Sequence, residues 1–323
     1  MQSKEAKTLR GANAIPWGKL MVYIVFIVVF VLFSVVLHDK GFLGLNLLNI
    51  VRQTAMVGVM AVAGTFVIAC GQIDLTVGSV AAMSAMISAL ILQGTNSILL
   101  AVLSSLVFGA LIGCVNGLLV TRLGLPSFLA TLGMMQVVRG MAMKITNTAA
   151  VPITNKTFNA IFGTGYLGPI SILIIWMLFF FVIGYFVFNK TPFGRHTLAV
   201  GGNETAAGYS GINTKRIKMA VFMMSGAFAA FAGIMYAGRM QSGRYTFADG
   251  DEMSVIAAVV LGGAAMSGGS GSIIGTLVGA LLMGMINNAL VLAGLSSAEQ
   301  TMVSGAIIIL AVALSNIANK KKN

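Results

Sequence analysis

Residues 98–120 have the sequence ILLAVLSSLVFGALIGCVNGLLV, in which no position is charged. A helix needs about 20 predominantly apolar residues to cross the hydrocarbon core of a bilayer. Only helices and closed barrels satisfy every backbone polar group in lipid, and barrel strands would be short and alternating. This stretch therefore predicts a transmembrane α-helix.

Apolar runs of the same kind recur on both sides of this stretch. Eight clear ones are residues 20–37, 54–69, 80–92, 128–143, 170–188, 220–236, 272–292 and 302–317. A weaker run, residues 254–266, ends in a glycine cluster. The predicted fold class is therefore an all-α integral membrane protein with about ten transmembrane helices, some of them short or broken.

The composition agrees with this fold class. Hydrophobic residues make up 58% of the 323 positions and charged residues only 9%, whereas soluble domains are about a quarter charged. The net charge of +12 is explained by basic cytoplasmic loops, so the bilayer is the expected environment and no nucleic-acid partner is predicted. No soluble domain or linker interrupts residues 1–323, which we interpret as one transmembrane domain.

The distribution of Lys and Arg predicts the orientation. With the N-terminus inside, thirteen basic residues fall in inner segments and five in outer ones, as the positive-inside rule requires. The inner segments are an N-terminal arm (1–19), a short loop at Arg122, a long loop (189–219) and a tail (318–323). Both termini are thus expected in the cytoplasm of a multi-pass protein.

The segment GQIDLTVGS, residues 71–79, places polar side chains between two apolar runs. Gln72, Asp74 and Thr76 are candidates for a substrate path or gate, since a carboxylate near hydrocarbon is costly. The alternative is structural, with Asp74 or Thr76 capping the next helix by accepting backbone N–H bonds. Three intramembrane amides also allow two interpretations: they either line a path or form hydrogen bonds between helices. They are Asn116, Asn287 and Asn288.

The long inner loop contains a second polar motif. Residues 203–212, NETAAGYSGI, can form a short helix that a glycine ends, and a helix presented on a basic loop suits docking to a soluble partner. An ordinary surface loop is the alternative. The docking candidates are Glu204, Thr205, Ala206, Ala207, Gly208 and Gly211.

Charges also cluster between the runs at 220–236 and 254–266, on the outer side. Arg239, Arg244, Asp249, Asp251 and Glu252 lie there. They either form salt bridges with a periplasmic protein or belong to a solvated loop.

Glycines are concentrated at residues 262–271, GGAAMSGGSG. This segment lacks the Lys-Ser/Thr of a nucleotide-binding phosphate loop, and close backbone packing between helices is its expected role. No catalytic constellation or metal-ligand spacing appears, so we predict a transport protein that is no enzyme and binds no cofactor or metal.

Four segments resemble the ribose-type sugar permeases of bacterial ATP-binding-cassette (ABC) importers, within the branched-chain amino-acid/sugar permease superfamily. They are GQIDLTVGSV (71–80), LPSFLATLGMM (125–135) with Arg139-Gly140, TPFGRHTLAVGGNETAAGYSGINTKRIK (191–218) and IAAVVLGGAAMSGGSGSIIGTLVGALLMGMINNAL (256–290). The resemblance extends from about Leu47 to the C-terminus. It departs from the family pattern at Gln72, where glycine is common, and at Ser254, where aspartate is common.

The resemblance implies a permease of the bacterial inner membrane with the fold of the vitamin-B12-type (type II) importers. It implies a dimer with a second copy or paralogue, a cytoplasmic ABC ATPase that carries ATP and Mg²⁺, and a periplasmic sugar-binding protein. Residues 204–212 match the family's coupling region. The expected function is import of a ribose-like monosaccharide by alternating access, and the alternatives are a branched-chain amino-acid permease and an ion-coupled carrier.

Overall fold

The computed structural model describes residues 17–320, so most of the predicted N-terminal arm and half of the predicted tail lie outside the described residues. The described chain is built from helices and two small antiparallel strand pairs. The helices are α1 (Trp17–Val36), α2 (Leu45–Ala69), α3 (Val77–Thr95), α4 (Ile98–Thr121), α5 (Ser127–Ile145), α6 (Lys156–Asn159), α7 (Ile172–Lys190), α8 (Pro192–Gly202), α9 (Glu204–Tyr209), α10 (Thr214–Met240), α11 (Asp251–Leu261), α12 (Ile273–Ala293) and α13 (Ser297–Lys320). A 3₁₀ turn (His38–Lys40) follows α1 and a π-helical segment (Ala160–Thr164) follows α6.

Each of the ten apolar runs coincides with one of these helices. Within the described residues, six helices are long and apolar enough to cross a membrane: α2, α3, α4, α7, α10 and α12. The all-α membrane class is therefore confirmed. The weak run at 254–266 corresponds to α11, which has only 11 residues and spans about 16 Å at 1.5 Å per residue.

The bundle has two ends, which contacts along α2 define. This helix has 25 residues, so its termini lie about 37 Å apart. At its C-terminus, Ala69 O accepts a hydrogen bond from Gly269 N and lies against Gly201 at the end of α8; we call this side, which also carries α9, the α9 end. Near its N-terminus, Arg52 donates to the Tyr166 hydroxyl.

That opposite side is called the hairpin end, after its strand pairs. Strand β2 (Tyr166–Leu167) pairs with β3 (Ile170–Ser171), and Tyr166 lies opposite Ser171. Strand β1 (Val151–Pro152) pairs with β4 (Ser242–Gly243), and Val151 lies opposite Gly243. The second pair fixes the start of the segment that joins α10 to α11.

Helices α2 and α3 are the most buried of the six long apolar helices. Of the 18 most apolar consecutive residues of each helix, 78% are buried in α2 and only 22% in α4. Helix α4 therefore forms part of the outer apolar surface. Helices α4 and α10 nevertheless touch through backbone, because a Cβ at Gly109 or Gly113 would overlap the carbonyl of Gly226 or Phe222. Glycines spaced by four positions allow this close crossing.

Two non-helical segments enter the bundle from opposite ends. Residues 70–76, between α2 and α3, enter from the α9 end. Residues 241–250, between α10 and α11, turn back from the hairpin end. The second segment reaches the first turn of α3, just after the first segment, at Gly78, where an added Cβ would overlap Ala248 O and Glu252 Oε2.

Candidate functional site

The segment 70–76 is organised by Asp74. Its Oδ1 accepts hydrogen bonds from Thr76 N (2.9 Å) and Thr76 Oγ1 (2.6 Å), and Asn116 Nδ2 donates to Thr76 Oγ1 (3.1 Å). All three residues are buried. Asp74 thus holds a local turn at Thr76, the residue before α3, whereas no side chain caps the first backbone N–H groups of α3 itself.

Helix α5 fixes the same segment from the side. Ser127 Oγ accepts from Ile73 N (3.1 Å), and Thr131 Oγ1 donates to Ile73 O (3.2 Å). Ser127 and Thr131 belong to LPSFLATLGMM, so two of the segments that carry the family resemblance are in direct contact. Gln72 is half-buried, and its side chain bonds to Gly71 O.

The space beside Asp74 is small. Asp74 Oδ2 has no hydrogen-bond partner among residues 17–320, and it borders a cleft of about 10 Å³ that Ser225 and Ile256 also line. Such a volume holds about one water molecule. A sugar does not fit there in this conformation.

The second non-helical segment, 241–250, is held by Arg139 of α5. The guanidinium Nη1 donates to Tyr245 O and to Phe247 O (3.0 Å for the latter), and Nη2 lies 3.5 Å from Asp249 Oδ1. The Arg139 side chain is only 15% exposed. In the sequence this arginine contributed only to the family resemblance, whereas in the structure it holds a loop more than 100 residues away.

The three acids around this loop have different surroundings. Asp249 is 81% exposed in its side chain, and Asp251 Oδ2 accepts from the Tyr236 hydroxyl (2.6 Å). Glu252 is 8% exposed, and its Oε2 has no hydrogen-bond partner among residues 17–320. Glu252 is thus buried against α3 in this structure and is not presented to an outside protein.

A cavity of about 160 Å³ lies between this loop and α5. Its lining residues are Met135, Gln136, Arg139, Tyr245, Thr246, Asp249 and Glu252. Thr246 and Asp249 are exposed and Glu252 is buried, so the cavity leads from the surface to a carboxylate. None of the pathway candidates named from the sequence lines it.

Two of those candidates bond between helices instead. Asn288 exchanges hydrogen bonds with Asn46 of α2 at 2.8 and 3.2 Å. Asn287 accepts from Ser304 of α13 at 3.3 Å. This is the structural alternative for intramembrane amides.

A backbone junction at the α9 end joins three segments. Gly201 and Gly202 of α8 touch Gly268 and Gly269 of the glycine-rich segment, and Gly201 also touches Ala69. Gly268 and Gly269 have φ values of 85° and 76°, which glycine adopts without strain. Close backbone packing by the glycine-rich segment is thereby confirmed, and we call this contact the glycine junction.

Helix α9 projects from the glycine junction. Asn203 Oδ1 caps it by accepting from Ala206 N (2.9 Å), and Glu204 bonds to Lys218 of α10 (2.6 Å). Ala207 is buried and anchors the helix, whereas Tyr209 is 90% exposed. The sequence prediction of a short helix is confirmed, and the structure adds Tyr209 as its most prominent side chain.

Two of the docking candidates at the hairpin end are basic. Arg239 is partly exposed and Arg244 is exposed. Arg52, which donates to the Tyr166 hydroxyl, lies close enough to Arg239 for the two cations to repel each other. Such a pair attracts an acidic partner.

Comparison with known proteins places these features in a family. A family model described as branched-chain amino acid transport system / permease component matches residues 46–312. The ribose import permease protein RbsC of Bacillus subtilis is 42% identical over 274 residues, 84% of each chain. The probable ABC transporter permease protein YphD of Escherichia coli is 43% identical over 91% of this chain and 88% of its own.

An arabinose permease is similar as well. The L-arabinose ABC transporter permease protein AraH of Azospirillum brasilense is 38% identical over 90% of this chain and 85% of its own. No solved structure matched the chain.

Proposed function

The chain belongs to the branched-chain amino acid transport system / permease component family, and we propose that it is the sugar permease subunit of an ATP-driven importer. Relatives named as ribose and arabinose permeases cover most of its length, which favours a monosaccharide over an amino acid. The observation that carries the ATP-driven part is α9, a capped helix held at the surface with an exposed tyrosine.

Helix α9 is suited to a groove on a cytoplasmic ABC ATPase. Its buried side, Ala207, fixes it to the permease, and Glu204 is held by Lys218. Gly208 has open space around it, and Tyr209 extends into solvent. Exposed tyrosines are frequent anchors of helix-in-groove contacts, so Tyr209 is the expected contact residue, with Glu204, Thr205, Ala206 and Gly208 around it and Gly211 ending the segment.

This assignment places the α9 end in the cytoplasm. Five basic residues on and beside this end support the orientation: Lys190, Arg195, Lys215, Arg216 and Lys218. Both termini are then cytoplasmic in the inner membrane. The ten apolar helices form the type II importer arrangement, and two such subunits, identical or paralogous, complete the transporter.

The hairpin end then faces the periplasm and receives the sugar-binding protein. Arg239 and Arg244, with Arg52 beside them, supply positive charge, and the exposed Asp249 supplies a negative one. Acidic side chains on the partner would pair with the arginines at the rim, where charges mainly direct association.

The glycine junction gives α9 a mechanical connection to the interior. It contacts the end of α2 and the segment that follows α11. Movement of α9 upon ATP binding by the partner would displace these backbones together, because they are in van der Waals contact without intervening side chains. Asp74 and Thr76, just before α3, would keep the turn beside this gate folded and so support transport through stability.

A transport assay tests the proposal. The chain is purified from native membranes with whatever ATPase co-purifies, reconstituted in liposomes containing ATP, and supplied with the binding protein encoded beside that ATPase. We expect ATP-dependent uptake of D-ribose or L-arabinose and none of L-leucine. Uptake of leucine alone would support the amino-acid alternative, and ATP-independent uptake driven by an ion gradient would support the carrier.

Helix α9 is tested by Tyr209→Ala. Removal of an anchor side chain typically costs about 2 kcal/mol or more of binding, about thirtyfold, so ATPase retention and sugar-stimulated hydrolysis should both fall. Tyr185→Ala, on the exposed face of α7, is the matched control and should leave both unchanged. Normal ATPase retention by the Tyr209 variant would contradict the docking role.

A further inference from the structure

Glu252, in the first turn of α11, is a buried carboxylate beside the loop 241–250. It is more than nine-tenths buried, and its Oε2 has no partner among the described residues. A buried carboxylate without a hydrogen bond is unfavourable, and exceptions of this kind call for an explanation. The two neighbouring acids have partners, Arg139 for Asp249 and the Tyr236 hydroxyl for Asp251.

Glu252 also lines the cavity of about 160 Å³ between α5 and residues 241–250. At about 10–15 Å³ for each water-sized probe position, its volume of about 160 Å³ accommodates roughly ten such groups. A pentose has ten non-hydrogen atoms. The cavity is therefore of a size that fits one monosaccharide.

The lining has the chemistry that a polyhydroxylated ligand needs. Glu252 accepts hydrogen bonds, Gln136 both donates and accepts, and the ring of Tyr245 and the side chain of Met135 offer apolar surface for the C–H face of a sugar. The Arg139 guanidinium is already engaged by two loop carbonyls and Asp249. Because these groups compensate the positive charge of Arg139, the cavity offers an anionic ligand no free cation to pair with among its lining residues.

We propose that a monosaccharide binds in this cavity during its passage and that Glu252 accepts hydrogen bonds from its hydroxyl groups. The inference rests on the proposed sugar-permease function and adds to it a specific contact site. Helix α11 begins at this site and leads to the segment of the glycine junction, about 16 Å away. Sugar contact and ATPase docking are thus connected by a single short helix.

The first test is Glu252→Gln in the complete importer. Loss of a hydrogen bond to a charged group reduces binding about tenfold or more, so uptake of D-ribose and L-arabinose should fall by at least that factor. The thermal unfolding midpoint should be equal or higher, because an unpartnered buried charge is removed. Asp39→Asn, the same chemical change at an exposed carboxylate, is the control.

The second test probes occupancy directly. Thr246→Cys, combined with Cys114→Ser, places an accessible thiol in the cavity while Cys70 stays buried. During turnover with sugar-loaded binding protein, labelling of this introduced thiol by a methanethiosulfonate reagent should slow by about threefold or more if the sugar occupies the site.

The outcomes separate the site from the function. Suppose that wild-type protein transports ribose, that uptake is unchanged in Glu252→Gln, and that sugar does not slow labelling of the introduced thiol; this would overturn the cavity assignment alone. A Glu252→Gln protein that unfolds at lower temperature than wild type would show a structural role and overturn it as well. Wild-type protein that moves no sugar would instead overturn the proposed function.

Discussion

Residues 70–76 and residues 241–250 are both polar interruptions of an apolar bundle, and each adjoins a buried acid with one unpartnered oxygen. Asp74 Oδ1 accepts two hydrogen bonds from Thr76, and the space beside Oδ2 is about 10 Å³. Glu252 has one oxygen against Gly78 and lines a cavity of about 160 Å³. The volume beside each acid therefore distinguishes Asp74, which has a structural role, from Glu252, which can contact a ligand.

The difference is one of accessibility rather than of residue type. Both carboxylates are costly in a low-dielectric interior. At Asp74 this cost is offset by the two hydrogen bonds from Thr76. We therefore expect substitution of Asp74 to affect the stability of the fold. Glu252 has one oxygen without a partner within residues 17–320 and lines a larger cavity, so we expect its substitution to affect binding.

Stability should be most sensitive to substitution at Gly78, where α3 contacts Ala248 and Glu252. In Gly78→Ala the added methyl would overlap Ala248 O and Glu252 Oε2, and overpacking of this kind costs about 1–3 kcal/mol. Thermal unfolding in detergent should show a lower midpoint. Gly94→Ala adds the same methyl to α3 in open space and should be neutral or slightly stabilising.

Asp74→Ala should have the next largest effect on stability. It removes the acceptor for Thr76 N and Thr76 Oγ1, and loss of an intramolecular hydrogen bond typically costs about 0.5–1.5 kcal/mol. Asp74→Asn retains an acceptor oxygen and should lose less, which unfolding midpoints of the two variants would show. If both variants fold and transport normally, neither a cap nor a gate role remains for Asp74.

Arg139 should influence the loop locally. Arg139→Ala removes the donors to Tyr245 O and Phe247 O, at a cost of about 1 kcal/mol, so amide hydrogen exchange should quicken within 245–249. Asp249→Asn removes only the exposed partner of the ion pair, which contributes little. Equal exchange in both variants and wild type would show that the clamp does not order the loop.

The helices could be predicted because their cause is local. A continuous apolar run such as residues 98–120 leaves helix as the structure available in lipid, and Asp74 was conspicuous because a carboxylate between two such runs is rare. The period-four glycines at 109, 113 and 117 carried a readable signal for the α4–α10 crossing. Spans and breaks are therefore accessible from sequence.

The cavity was not accessible in the same way. Residues 239–252 contain five charges, and an outer loop has the same composition as a segment that turns back into the bundle. The burial of Glu252 depends on Gly78, and the loop conformation depends on Arg139, both more than 100 positions away. Hydropathy contains no information on such pairings, which arise from tertiary contacts.

A paired comparison of Asp74→Asn and Glu252→Gln tests the central claim most directly, because each variant neutralises one buried acid with little change of shape. Unfolding midpoint and ATP-driven ribose uptake per folded molecule are measured for both. We predict that Asp74→Asn lowers the midpoint and largely retains uptake, whereas Glu252→Gln retains the midpoint and loses uptake by about tenfold or more. The reverse pattern would contradict the assignment of structure to one segment and sugar contact to the other.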